Sequence, residues 1–381
     1  MPQTLRPAMR DDEVTSGDFA ANLRVLSWNV WAVPWVSPDL ERRLRELPVA
    51  LCRPAPDIIV LQELWEAEFG VRLARALREQ GFIYSHHFAS TAQGQTGLFV
   101  AARFPLLEPS YVPFETGRWP HTAWHLDWLV SKGLARYRLR VAGREIALGN
   151  THLQAQYRTD SYSAERLEQA TDIAEQVAQE HAPLILAGDF NSASSDPARR
   201  VLRDVAGFDD ALPRAALDTI LVRDGAAVGL RVRAARLLEI PSYRARNGEL
   251  LPLSDHAPVF VELMLGTPSK LPLSSAEQAR VDATRALREA AELNAHKAWR
   301  WGAAAVVLAL LTAWVVRRSG WLRRAPTARF RRRILVLGGA FALALGTIWT
   351  SYLSLLYYPR LAHDLERAAL RFAPPTSRGA E

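Results

Sequence analysis

The 381-residue sequence predicts an α/β protein whose sheets are covered by helices, followed by a helical segment suited to a bilayer. Three observations predict it. Apolar runs of strand length alternate with helix-period stretches and with a hairpin. Several of those runs stop abruptly on a polar side chain. Near the C-terminus, two long stretches carry no charge. The most informative run is Leu184-Ile-Leu-Ala-Gly-Asp-Phe-Asn191. Its four apolar residues fit a buried strand, and Gly188 would permit a sharp turn out of the sheet. A period of two turns Phe190 into the core and leaves Asp189 and Asn191 side by side. A phosphate and an attacking water could be held there.

Taken in order, residues 1–21 are polar and lack the apolar stretch of a signal peptide, so they read as a disordered lead-in. Leu23-Arg-Val-Leu-Ser-Trp-Asn29 alternates as a strand and ends on Asn29. Residues 39–52 space Leu40, Leu44, Leu47 and Leu51 as a helix, which Pro48 should end or kink. Asp57-Ile-Ile-Val-Leu-Gln-Glu63 is a second buried strand, followed by a helix over about 66–80 and a strand over 97–102. Residues 106–131 read as a long excursion rich in aromatics and prolines. Tyr111, Phe114, Trp119, Trp124 and Trp128 keep no single period there, and rings of this kind suit contact with a lipid surface. Residues 136–141 and 144–148 form a hairpin across Ala142-Gly143, and its second strand runs into Asn150-Thr-His152. A helix over about 162–180 leads to the strand at 184–187. Later strands cover 219–222 and 258–265, the last just after Ser254-Asp255-His256. The domain so defined spans residues 22–266.

Residues 267–297 read as a turn-rich linker and an Ala- and charge-rich helix. Within 298–358, residues 301–316 are sixteen without charge and 334–358 are twenty-five, against the roughly 20 that span a bilayer. Trp299, Trp301, Trp314, Tyr357 and Tyr358 suit interfacial anchoring. Residues 359–381 form a tail. A lipid bilayer is therefore an expected partner. Two spans put the domain and the C-terminus on one side, which the lack of a signal peptide makes cytoplasmic. The eight arginines between 317 and 333 would instead keep the connecting loop cytoplasmic. A re-entrant first segment or an exported domain would reconcile the two, and the side is left open.

The net charge of +7 is uneven. Residues 298–381 carry thirteen arginines against three acidic groups, leaving 34 basic and 37 acidic groups in the first 297. The domain therefore has no basic excess to supply a face for nucleic acid. Cys52 is the only cysteine, which excludes an intramolecular disulfide.

Five polar groups at strand ends could meet at one sheet rim: Asn29, Glu63, His152, Asp189 with Asn191, and Asp255 with His256. The set suits metal-assisted phosphodiester hydrolysis. A lone carboxylate such as Glu63, with Asn29 nearby, is the sparse oxygen site that Mg²⁺ prefers, since the ion keeps waters and takes phosphate oxygens. His256 can take a proton from water near neutral pH, and Asp218 is the candidate carboxylate to orient it.

Ser27-Trp-Asn-Val, Leu61-Gln-Glu, Asn150-Thr-His-Leu, Gly188-Asp-Phe-Asn and Ser254-Asp-His together resemble the endonuclease/exonuclease/phosphatase superfamily, with its DNase I-like fold, over about residues 22–265. The resemblance implies a four-layer sandwich of two mixed β-sheets with outer helices. It implies that Glu63 ligates Mg²⁺, that Asn29 helps hold metal or phosphate, and that Asp189 orients the nucleophilic water; Asp255, beside His256, is a further candidate for the metal. Asn191 and His152 would contact phosphate, and His256 would be the base with Asp218 behind it. Within the superfamily the sequence is most similar to membrane-bound neutral sphingomyelinases, through Asn29-Val-Trp-Ala-Val-Pro34, Thr151-His-Leu-Gln-Ala-Gln-Tyr157 and His125-Leu-Asp-Trp-Leu-Val-Ser-Lys-Gly133. The last carries a paired Asp127 and Lys132, which read either as a surface ion pair or as a device ordering the excursion over the substrate. Gln154 and Thr219 depart from that group, which has a second His and an aromatic at those places. The implied activity is hydrolysis of sphingomyelin or a similar phospholipid, with a nuclease or inositol-phosphate phosphatase as the alternative.

Overall fold

The computed structural model describes residues 21–34, 36–91, 94–117, 119, 122, 125, 127, 130–212, 217–268, 276–321 and 330–374. The polar lead-in up to residue 20, Trp124 and Trp128 lie outside the described residues. The chain runs β1 (Asn22–Ala32), α1 (Leu40–Cys52), β2 (Ile58–Leu64), α2 (Ala67–Glu79), β3 (Tyr84–Thr91), β4 (Gly94–Ala102) and β5 (Leu106–Pro113). It continues through β6 (Gly133–Val141), β7 (Arg144–His152), α3 (Ser163–Gln176), β8 (Leu184–Asp189) and α4 (Pro197–Arg200) with a π turn after it. Then come β9 (Asp209–Asp210), β10 (Asp218–Arg223), β11 (Gly229–Leu237), β12 (Ser242–Arg244), β13 (Leu250–Pro252) and β14 (Val259–Gly266).

These strands form two six-stranded mixed sheets, ordered β11-β14-β1-β2-β4-β3 and β5-β6-β7-β8-β10-β9, with parallel pairs at β1/β2 and β7/β8. The period of two explains why both sheets are buried on two faces. On β1, Leu23 and Val25 join Val60, Tyr137, Leu148 and Ile185 in the core between the sheets. Leu26, Trp28 and Val30 point the other way, against Leu47 and Leu51 of α1 and Phe69, Leu73 and Leu77 of α2. Helix, sheet, sheet and helix make the four-layer sandwich expected.

Four local expectations need correction. Helix α1 does not end at Pro48 but runs on to Cys52, because only one backbone bond is lost there and buried Leu47 and Leu51 hold the turns on either side. Gly188 lies inside β8, not at a turn; a Cβ there would stand 2.0 Å from the Thr151 carbonyl oxygen, so close strand approach requires the glycine. The stretch 106–113, read as excursion, is strand β5. The edge strands β3 and β11 and the β12–β13 hairpin were not anticipated. The predicted two-residue hairpin is present, with Ala142 at φ 48° and Gly143 at φ 72°.

By internal contacts the chain divides into two compact units: Met1–Arg118 with Asp127–Ala279, and Trp119–Leu126 with Arg280–Glu381. In the second, one continuous helix α5 (Ala276–Trp321) replaces the two separate helices expected, and α6 (Phe330–Tyr352) leads through a π turn into α7 (Tyr358–Phe372). The residues read as a tail are thus largely helical. Arg280 lies over the Phe372 ring and Lys297 over the Tyr358 ring, Gly302 abuts Ser354, and Leu308 abuts Gly346. These pairings descend one helix as they ascend the other, so the elements form an antiparallel hairpin. In its charged half Ala283, Leu287 and Ala291 are buried on one helix and Leu361, Leu365, Ala368 and Phe372 on the other. Its uncharged half exposes Val306, Leu310, Trp314, Leu337, Phe341 and Ile348. Among the described residues, two helices are thereby long and apolar enough to cross a membrane. Trp119, half exposed, lies in this unit with the Arg360 guanidinium 4.9 Å from its ring centre.

Candidate active site

Strand register assembles the site. His152 at the end of β7 pairs with Asp189 at the end of β8, which pairs with Asp218 at the start of β10. The three side chains therefore stand in a row on one sheet. On the other sheet, Asn29 of β1 pairs with Gln62 of β2, one residue before Glu63. Glu63 has φ 60°, a left-handed conformation inside a strand, and Gly97 makes room for it: a Cβ on Gly97 would stand 3.1 Å from the Glu63 Cα. Asn191 is likewise left-handed, with φ 48°.

Asn29 crosses between the sheets. Its Nδ2 donates to Glu63 Oε1 at 2.9 Å and to Asp189 Oδ2 at 3.0 Å. Below it, Gln62 Nε2 donates to Asn150 Oδ1 at 2.9 Å, and Asn150 Nδ2 donates to the Leu61 and Phe99 carbonyls. Asp189 also accepts the Asn191 N–H at 2.9 Å, while Asn191 Nδ2 donates to the Leu153 carbonyl at 3.0 Å. Burial pushes the Glu63 carboxyl up to about 7; the Asn29 hydrogen bond and the Lys132 charge oppose this, and the Asp189 charge adds to it.

His256 Nδ1 lies 2.6 Å from Asp218 Oδ2. Nδ1–H donates to the carboxylate, which leaves Nε2 as the nitrogen that gains or loses the ring's second proton. Burial alone would lower this imidazole, but the hydrogen bond to Asp218 and the charges of Asp218, Asp189 and Asp255 outweigh it, and His256 is held up at about 10. Asp218 itself is raised by burial and by Asp189. His152 behaves oppositely: burial, then Lys132 and His256, hold it well below the ordinary imidazole range, so it is neutral. Lys132 Nζ donates to His152 Nε2 at 2.8 Å and to the Leu153 carbonyl at 3.0 Å, and lies 3.4 Å from Asp127 Oδ1. The Lys132 side chain is only 3% exposed, which corrects the surface-ion-pair reading. Asp127 is fixed in turn by the Ala155 N–H at 2.7 Å.

Glu63, His152 and Asp189 present ligand atoms within 4.8 Å of one another, and so do Asp189, Asp218 and His256. The first group fits a hard divalent cation. It offers carboxylate oxygens from both sheets, and Glu63 is pushed up in a way that a nearby cation would reverse. Asp255 is exposed and belongs to neither group; its Oδ1 is 3.4 Å from Ser254 Oγ. Thr219, one of the departures, donates its hydroxyl to Asp210 at 2.7 Å, and Asp210 also pairs with buried Arg199. Gln154 is buried, its main-chain N–H taken by Gln169 Oε1.

The two-sheet sandwich with this rim of carboxylates and histidines is a DNase I-like fold. Residues 26–256 match the Endonuclease/Exonuclease/phosphatase family, and the chain belongs to it. Among curated proteins, it is 34% identical over 185 residues to a putative neutral sphingomyelinase of Drosophila melanogaster, covering 47% of this chain and 41% of that protein. It is 37% identical over 182 residues to inositol phosphosphingolipids phospholipase C of Schizosaccharomyces pombe, covering 46% and 42%. It is 28% identical to human sphingomyelin phosphodiesterase 2, covering 51% and 47%. The matches thus span less than half the length of these relatives. In fold it is similar to sphingomyelinase C from Streptomyces griseocarneus, with TM-score 0.52 and 20% identity over 64% of this chain and 99% of that one. It is similarly close to D. rerio TDP2 complexed with single-strand DNA product, with TM-score 0.50, 20% identity, and 64% and 99% covered.

Proposed function

We propose that this protein is a Mg²⁺-dependent phosphodiesterase of the phospholipase C type. It would hydrolyse sphingomyelin or a related sphingolipid at a membrane to ceramide and a phosphorylated headgroup. The observation that carries the reading is the Asn29 amide bridging Glu63 and Asp189 beside the His256–Asp218 pair, an arrangement that supports a carboxylate able to hold a cation next to an oriented base. The substrate class rests on relatives named for sphingolipid phosphodiester cleavage. The near-neutral domain charge argues against nucleic acid, and the apolar hairpin supports work at a lipid surface.

Glu63, with Asn29 and Asp189 beside it, would hold the ion. When bound, Mg²⁺ would neutralise charge on the phosphate oxygens, and its own charge would offset the carboxylates that hold His256 up. The protein's part is then positional. Asp189, fixed by Asn29 and by the Asn191 N–H, orients a water in line with the phosphorus. His256 Nε2 takes that water's proton while Asp218 holds the ring and stabilises its charge. The bond from phosphorus to the ceramide oxygen breaks, and that oxygen gains a proton. Neutral His152, backed by buried cationic Lys132, faces the phosphate. Asp127, which accepts the Ala155 N–H, holds Lys132 in place.

The test is the full-length protein in detergent with Mg²⁺ on sphingomyelin, ceramide phosphoethanolamine, inositol phosphosphingolipid, phosphatidylcholine, an inositol phosphate and DNA, scored for phosphate-containing products. Release of a phosphorylated headgroup from a sphingolipid supports the reading. Cleavage confined to DNA or to the inositol phosphate overturns it.

A further inference from the structure

Helix α1 carries an anomaly. Its buried face follows the stripe of Leu40, Leu44, Leu47 and Leu51, and Arg43 sits on that stripe. Arg43 is 3% exposed, yet among the described residues it pairs with no carboxylate. Its guanidinium serves main-chain carbonyls instead. Nε donates to Leu253 at 2.9 Å, Nη2 to Val30 at 2.9 Å and also to Leu253, and Nη1 to Trp31 at 3.2 Å. The plane also lies over the Trp31 ring, 5.1 Å from its centre. A buried cation spent entirely on carbonyls of two separate segments has a reason other than charge pairing.

Both segments lead into the site. Trp31 is held at φ 46°, and its N–H donates to Asn29 Oδ1 at 3.0 Å. That bond fixes which way the Asn29 amide faces, and so aims Nδ2 at Glu63 and Asp189. On the other side, Leu253 precedes Ser254, whose hydroxyl donates to the Asn29 carbonyl at 2.6 Å and accepts the His256 N–H at 3.2 Å. The His256 carbonyl in turn accepts Trp28 Nε1–H at 2.8 Å. Arg43 is therefore common to the cation-holding half and the base-holding half. The planar fork explains the residue type, since an ammonium cannot reach three carbonyls on two segments at fixed angles.

We propose that Arg43 is a positioning residue that sets the Asn29–Glu63 half of the site against the His256 half; this rests on the phosphodiesterase reading only for its activity assay. The experiment compares full-length wild type, Arg43→Lys and Arg43→Ala in detergent. It measures melting temperature, kcat and KM on short-chain sphingomyelin, and Mn²⁺ binding without substrate by electron paramagnetic resonance. Arg43→Lys should melt near the wild type, with kcat and Mn²⁺ affinity each lowered about 10–100-fold, the usual cost of losing a group that orients a ligand, and with KM little changed. Millimolar guanidinium should restore part of both quantities in Arg43→Ala. Wild-type kcat and Mn²⁺ affinity in Arg43→Lys would overturn the proposal. So would an Arg43→Ala loss that follows the melting temperature and ignores guanidinium. If the wild type releases no phosphorylated headgroup from any sphingolipid, the phosphodiesterase reading fails by itself, and the Mn²⁺ titration still decides the role of Arg43.

Discussion

Replacing Glu63 with Gln should stabilise the cation-free protein while abolishing its turnover. The folded state moves the Glu63 carboxyl from an ordinary value of 4.5 to about 7, mainly by burial. A group that binds its proton more tightly when folded costs nothing below the lower value. Its cost grows as pH rises between the two values and is fully present above the higher one. A difference of that size corresponds to about 3 kcal/mol. Gln keeps the volume and the oxygen that accepts from Asn29 Nδ2. In the presence of chelator at pH 8, the variant should therefore exceed the wild type by up to about 3 kcal/mol, or roughly 6–12 °C in melting temperature. The two should converge near pH 4.5. Added Mg²⁺ should raise the wild-type melting temperature and leave the variant where it is. A variant less stable than the wild type at pH 8, or stabilised by Mg²⁺ to the same extent, would remove Glu63 from both roles.

Steady-state rates on a short-chain substrate should fall by about 10²–10⁴ for His256→Ala and by less for His152→Ala, since the base is used in every turnover and a phosphate contact is partly replaced by water. Equal rates for His256→Ala and wild type would remove the base role. Asp218→Asn takes away the carboxylate that raises His256, so the ascending limb of the pH–rate profile should move to lower pH as the rate drops. An unmoved limb would detach Asp218 from His256. Within the aromatic stretch, Phe114 is fully buried, so Phe114→Ala should cost about 3–5 kcal/mol. Half-exposed Trp119 should contribute only about 0.5–1 kcal/mol through Arg360, so Trp119→Ala should melt near the wild type and instead weaken vesicle binding. Thermal unfolding and vesicle co-sedimentation separate the two.

The central strands and their polar ends were legible because a buried strand is an unbroken apolar run, and a polar residue closing it is conspicuous. Asn29, Glu63, His152, Asp189 and His256 were found that way, and the structure brings them to one rim. Edge strands lack this signal. Strand β5 is largely exposed and holds Pro109 and Pro113, and β11 alternates arginine with small residues, so neither stands out from a loop. Lys132 sits in Ser-Lys-Gly, where nothing local reports that His152 and Leu153 of another strand will enclose it. Arg43 did leave a trace, as a charge on an apolar helical stripe. Helix α7 left one too, in the spacing of Leu361, Leu365, Ala368 and Phe372, but it was submerged in a charged tail.

In the proposed reaction, water attacks phosphorus at this rim and expels the ceramide oxygen. Hydrolysis of sphingomyelin by the full-length protein in ¹⁸O-labelled water tests it most directly, with both products analysed by mass spectrometry. Phosphocholine should carry one labelled oxygen and ceramide none. Label in the ceramide hydroxyl, or ceramide phosphate with free choline as the products, would contradict it.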